Sequence, residues 1–160
     1  MAKVYNKYKL IMEKSVAIYF YKINDEYGCF SNFSRHGFEI GGKYWKTSEH
    51  YFQAQKFIGT EYVEQVRLSS TPMEAANIGR DRSKPLRKDW EEVKDDIMRI
   101  AVLEKFKANV DIQKLLLSTR EEIIEKTTKD YYWGCGEEGT GKNMLGKILM
   151  ETREFLRKNQ

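Results

Sequence analysis

The segment Gly136–Asn143, GEEGTGKN, decides between two folds. Gly136, Gly141 and Lys142 have the spacing of the phosphate-cradling loop GxxxxGK, in which a Ser or Thr follows the lysine and places its hydroxyl on magnesium. Asn143 stands in that place, and its amide is not the usual ligand. A triphosphatase loop also sits early in a βα unit, followed by parallel strands that carry the second magnesium-holding acid. Here a single helix follows the loop, and helical patterns dominate what precedes it. Nucleotide hydrolysis is therefore set aside. The remaining glycine-rich segment reads either as an anion-meeting point built from backbone N–H groups and Lys142, or as a flexible connection with solvated charges.

Outward from the loop, hydrophobic spacing supports the helical choice. Val16–Tyr21, VAIYFY, is β-branched and aromatic and predicts a buried strand. Phe38–Trp45 alternates about Gly41-Gly42, a two-residue hairpin signal. From Thr47 the period becomes helical: Thr47 or Ser48 caps SEHYFQAQKFIG, and Gly59 stops it. Shorter helices follow over Glu61–Leu68 and from Ser70 or Thr71 through Pro72 to a stop at Gly79. Asp89 caps a long helix over Trp90–Lys107, with Val93, Ile97, Ile100, Ala101 and Leu103 to Phe106 at helical spacing. Asp111 caps IQKLLLS, Glu122–Thr127 reads as a short strand or a helical turn, and a last helix covers Met144–Arg157. The expected fold class is mainly α with a minor β part. It comprises a lysine-bearing tail over residues 1–15 and one helix-rich domain over 16–160, with a few short N-terminal strands and a hairpin. No parallel sheet is expected ahead of the loop.

Composition narrows the function classes. With 160 residues, 41% hydrophobic and 13% aromatic, the chain can fill one core, and disorder is excluded. A net charge of +4 suits an anionic ligand and is too mild for a nucleic-acid coat protein. Cys29, Cys135, His36 and His50 show no CxxC or repeated spacing, so no metal site is expected. The N-terminal stretch lacks a long apolar run and a cleavage pattern. Neither a signal peptide nor a membrane anchor is expected, and the expected location is cytoplasmic, with reduced cysteines.

Three stretches carry candidate chemistry. In SEHYFQAQKF, Glu49, Gln53 and Lys56 recur at i, i+4, i+7 and share one stripe, with the acid and the amine about 10 Å apart along the axis. They either flank a small ligand or form a solvated polar face, while Tyr51, Ala54 and Ile58 can enter the core. GRDRSKPLRKDW gathers Arg80, Arg82, Lys84, Arg87 and Lys88 before Trp90, which is either a solvated surface or a phosphate clamp beside an aromatic platform. DYYWGCG sets Asp130 beside Tyr131, Tyr132 and Trp133 in a glycine-bounded loop.

Together with SNF at Ser31–Phe33 and GKNMLG at Gly141–Gly146, these stretches resemble, in order and from about Val16 onward, the successive signatures of the NADAR family. The closer resemblance is to its YbiA-type N-glycosidases. It implies a mainly helical fold and hydrolysis of the bond between ribose and an amino nitrogen, without a cofactor. The implied substrates are ribosylamino-pyrimidine phosphates, early intermediates of riboflavin synthesis. In other members the substrate is ADP-ribose on a guanine amino group, so modified nucleic acid is a second candidate partner. Carried over by position, Glu49, Lys56 and Asp130 are the implied catalytic residues. Asn32, Phe33, Gln53, Arg80, Trp90, Trp133, Lys142 and Asn143 are the implied substrate contacts, with the two tryptophans stacking on the base. Cys135 departs from the pattern, since some relatives carry an acidic residue there.

Two mechanisms suit these residues. In one, Glu49 or Asp130 stabilises an oxocarbenium ion at the anomeric carbon and activates water. In the other, the aminal opens to an imine, Lys56 attacks it, and water releases the Schiff base while Glu49 shuttles protons. The lysine route is preferred because an amine nucleophile suits an openable glycosylamine. It requires burial of Lys56 to outweigh Glu49, since a neighbouring carboxylate alone raises a lysine pKa. Two readings from other classes stand beside it: a module that holds NAD or ADP-ribose without turnover, and nucleic-acid binding through Arg80–Lys88, which predicts strong salt dependence.

Overall fold

Thr47 ends an extended stretch, and its hydroxyl accepts the His50 N–H at 3.2 Å, starting the helix around which the other elements are placed. The computed structural model describes residues 16–160, so the expected tail over 1–15 lies outside the described residues. Helix α1, Ser48–Gln55, buries every residue from Ser48 to Ala54, whatever its polarity. Helices α2, Tyr62–Leu68, and α3, Pro72–Arg80, pack on it from one side, and the long α4, Trp90–Ala108, from another. Helix α5, Val110–Ser118, leads to the last helix α6, Met144–Lys158, which leans on α4. No helix among the described residues is long and apolar enough to cross a membrane.

Four three-residue strands complete the fold, which is mainly α with a minor β part. Strands β2, Phe38–Ile40, and β3, Lys43–Trp45, form the expected hairpin, with Gly41 and Gly42 at φ 60° and 75°, the left-handed pair a tight two-residue turn requires. Strand β1 covers only Ile18–Phe20 of the expected Val16–Tyr21. Ile18 and Phe20 point inward while Tyr19 and Tyr21 are exposed, so one face is buried rather than both. Its partner is β4, Ile123–Glu125, in parallel register with Ile18 opposite Ile123 and Phe20 opposite Glu125. This corrects the expectation that no parallel pair forms ahead of the loop. The connection between the two strands contains the hairpin and helices α1 to α5.

Three caps differ from the sequence reading. Gly79 lies inside the last turn of α3 rather than ending it. A Cβ there would come within 1.9 Å of Gln53 Oε1, so glycine serves close packing against α1. Asp89 holds the N-cap position of α4 but makes no side-chain cap bond, because its carboxylate takes a two-pronged bond from Arg87 at 2.6 and 2.9 Å. Asn109, not Asp111, sits at the N-cap of α5, with Asp111 in its first turn. The core joins Phe20, Phe30, Phe57, Met98, Phe106, Ile123, Leu145 and Leu149. Among these apolar side chains lies Lys105, 1% exposed, donating at 2.9 Å to Ser31 O and pushed down to about 7 by burial.

The end of the glycine-rich loop, where α6 begins, has its amides occupied. Residues 141–145 run beside 131–135, and N–H groups of Gly141, Lys142, Asn143, Met144 and Leu145 donate to carbonyls of Cys135, Tyr131, Gly134, Tyr132 and Trp133 at 2.7–3.0 Å. Residues 141–145 therefore offer no row of free donors to a phosphate. Asn143 adopts φ 52° and ψ 45°, accepts the Glu125 N–H at 3.0 Å and donates to Ile123 O at 2.8 Å. Its amide thus clips the start of α6 onto β4. Asn143→Ala leaves two buried β4 groups unpaired in a left-handed position, so it should lower stability by about 3 kcal/mol or more. Urea unfolding with an unchanged m-value would report this.

Candidate active site

One face of α1 and its C-cap line a cleft of about 570 Å³ with Glu49, Phe52, Gln53 and Lys56. Asn32, Phe33, Met98, Glu125, Asp130 and Trp133 line it as well. Arg80, at the end of α3, and Lys129 bring positive charge to the cleft from exposed positions. Most polar side chains of the buried helix meet a neighbour. Ser48 Oγ donates to Asn32 Oδ1 at 2.8 Å, and the His50 ring lies between Thr47 Oγ1 at 2.8 Å and Ser69 O at 3.1 Å. Gln53 Nε2 donates to Glu49 Oε1 at 2.7 Å, while Gln53 Oε1 is buried without a partner in the cleft lining. A buried acceptor left unpaired costs about 1–3 kcal/mol, and a bound donor would relieve it.

Lys56 is 9% exposed. Its Nζ donates to Gly79 O at 3.3 Å and lies 5.5 Å from the Trp90 ring centre and 5.8 Å from that of Phe52. Arg82 donates to the same Gly79 carbonyl. Burial, then the Arg82 guanidinium, push Lys56 down to about 8 against the pull of Glu49. Burial therefore outweighs the ion pair, which is the condition the lysine route sets. Glu49 is raised by burial, opposed by the Gln53 hydrogen bond and by Lys56 and Arg80. Asp130 Oδ1 accepts the N–H groups of Tyr132 at 3.0 Å and Trp133 at 2.8 Å, so its loop fixes it as an acceptor.

The structure brings Asn32, Phe33, Glu49, Gln53, Lys56, Arg80, Asp130 and Trp133 into one cleft and leaves three sequence candidates outside its lining. Trp90 is a core residue, its ring 5.0 Å from that of Phe52; it backs Lys56 and offers no open face for a base. Lys142 is exposed and lies 5.2 Å from the Tyr132 ring. Asn143 spends its amide on β4. In the basic run, Lys84 pairs with Asp81 and Arg87 with Asp89, so only Arg80 of that run lines the cleft. Sequence reasoning missed Glu125, pushed up to about 8 by burial and then by the carboxylates of Asp130 and Glu49. A signal existed: Glu125 lies two residues from fully buried Ile123, on the inward face of a strand. Among the described residues no group of three or more His, Cys, Asp and Glu is arranged to hold a metal ion.

Comparison with known proteins bears on this cleft. The profile of the NADAR domain matches residues 19–157. The N-glycosidase YbiA of Escherichia coli (strain K12) is 51% identical over 147 residues, covering 91% of each chain. The NMR structure of that protein superimposes with a TM-score of 0.84 over 91% of this chain and 88% of the other. N-glycosidase Npun_R5314 of Nostoc punctiforme is 49% identical over 146 residues, covering 89% of this chain and 94% of that one. The chloroplastic riboflavin biosynthesis protein PYRR of Zea mays is 41% identical over 152 residues, 85% of this chain but 24% of the maize protein.

The depressed Lys56 value has a direct chemical readout. A lysine lowered to about 8 presents a neutral amine above that pH, whereas ordinary lysines stay charged up to about 10.4. Brief acylation followed by peptide mass spectrometry should show Lys56 labelling reach half its maximum rate near pH 8. A midpoint above 10 would remove the electrostatic basis of its reactivity.

Proposed function

The chain belongs to the NADAR family, and from that premise we propose that it hydrolyses the N-glycosidic bond between ribose and an amino nitrogen, with ribosylamino-pyrimidine phosphates as substrates. The relatives named N-glycosidases support the reaction class, and the name of the maize protein supports the riboflavin-linked substrate. The observation that carries the reading is the pairing of a buried amine lowered to about 8 with a buried carboxyl along one helix and its C-cap, Lys56 and Glu49, in the cleft. The cleft volume also lies within the roughly 300–1,000 Å³ of small-molecule sites.

In this reading Lys56 Nζ attacks the anomeric carbon of the opened aminal, the amine leaves, and water releases the Schiff base as ribose phosphate. Glu49, poised by burial to hold or give up a proton, moves protons to and from Lys56. Arg80 and Lys129 neutralise the phosphate, while Phe33 and Trp133 flank the base. Gln53 Oε1 accepts from a ribose hydroxyl.

The purified protein should release ribose 5-phosphate from a ribosylamino-pyrimidine phosphate faster than it cleaves ADP-ribosylated guanine in an oligonucleotide. The reverse order would move the assignment to the nucleic-acid substrate, and no release from either would leave a ligand-holding module. Borohydride added during turnover should give an adduct mass on Lys56. Lys56→Ala should lose at least about a thousandfold in rate, as removal of a covalent nucleophile does. Near-normal activity of that variant without an adduct would exclude the Schiff base.

A further inference from the structure

Three carboxyls share the cleft, and their surroundings differ. Asp130 accepts two backbone N–H groups, and Glu49 accepts from Gln53 with Lys56 and Arg80 nearby. Both therefore have hydrogen-bond donors within the protein. Among the described residues no side chain donates to the Glu125 carboxyl; it meets only burial and the two other carboxylates. When titratable groups of one kind have surroundings that drive them apart, their acid and base roles separate. Glu125 is the member whose surroundings offer its anion no donor.

Its position is fixed by the backbone. The Glu125 N–H is taken by Asn143 Oδ1 at 3.0 Å, its carbonyl accepts the N–H groups of Thr127 and Cys135 at 3.0 Å, and its register opposite Phe20 is set by β1. Strand alternation then aims the side chain along the inward direction of Ile123, into the cleft. A protonated carboxyl without a protein acceptor, held on a clamped strand, can donate to a ligand atom at little cost in reorganisation.

Cleavage of a ribosylamine needs such a donor by either mechanism. An aromatic amine leaves as a neutral molecule only if its nitrogen gains a proton as the bond breaks, and Lys56 and Glu49 are already engaged at the carbon side. Resting on the N-glycosidase reading above, we propose that Glu125 is the general acid. Its carboxyl hydrogen passes to the exocyclic amino nitrogen as the C1′–N bond breaks, and the bonding pair stays on nitrogen. The water consumed in hydrolysis then gives its hydroxyl to C1′ and its proton to the Glu125 carboxylate, restoring the acid.

The test compares leaving groups. Ribosylamine 5-phosphates of aniline and of 4-nitroaniline differ in how much the departing nitrogen needs a proton. General acids contribute about 10²–10⁴-fold, so Glu125→Gln should lose on the order of a hundredfold or more with aniline and under about tenfold with 4-nitroaniline. Equal losses with both substrates, or none, in a variant that melts like wild type would overturn the proposal while leaving the N-glycosidase reading intact. Wild-type protein that turns over no ribosylamine would overturn both. Wild-type kinetics give a second measurement that needs no variant. The aniline-to-nitroaniline rate ratio should fall as pH rises through about 8, where Glu125 loses its proton. Lys56, Glu49, Asp130, Arg80 and Lys129 also face the cleft, but none is placed at the departing nitrogen, so they act on both substrates alike and cancel in the ratio. A ratio constant from pH 6 to 10 would overturn the assignment.

Discussion

The fold depends on burying a polar helix. Ser48, Glu49, His50 and Gln53 of α1 lie within the molecule beside Tyr51, Phe52 and Ala54. Polar groups taken out of water are costly unless bonded, so the surrounding segments supply partners at set positions. Asn32 meets Ser48, Thr47 and the Ser69 carbonyl hold His50, and Gly79 makes room for Gln53 by having no side chain. Even the wall beyond is placed this way, since the buried ammonium of Lys105 fixes the Ser31 carbonyl next to Asn32. The unpaired Gln53 acceptor marks where this network stops and a ligand would begin.

The same burial creates the electrostatics of the cleft. Low dielectric disfavours every charged form, but neighbours decide how each group responds. Lys56 has a second cation, Arg82, sharing its carbonyl partner, so its ammonium is driven down despite Glu49. Glu125 has only like charges nearby and is driven up. A lysine lowered to about 8 and a carboxyl raised to about 8 thus coexist in one cleft. Holding these groups against their ordinary ionisation costs stability, and the continuous aromatic and aliphatic core offsets it.

The glycine-rich loop shows why a motif needs its surroundings. GEEGTGK has the spacing of a phosphate loop, but such a loop binds anions only when successive amides are unpaired and converge. In this chain those of residues 141–145 are taken by the carbonyls of 131–135. The segment acts instead as a clasp that brings Asp130 and Trp133 to the cleft and, through Asn143, fixes the strand carrying Glu125.

What the sequence determined by itself was local. The Thr47 and Thr71 caps, the Gly41-Gly42 turn, the helical period of α4 and the stripe of Glu49, Gln53 and Lys56 depend on residues within a turn or two of one another, and that information lies in spacing. The ordered motifs also placed most of the cleft residues together. Tertiary structure decided whether the α1 stripe faced water or a cleft, because helix period describes a face without saying what covers it. It turned Trp90 into packing, since α4 enters the core at its first residue, and it made Asn143 a clip. It also revealed Glu125, whose environment comes from Phe20 on a strand far earlier in the chain and from Glu49 and Asp130 on two other segments. Burial and charge fields are sums over neighbours distant in sequence, and folding alone brings those neighbours together.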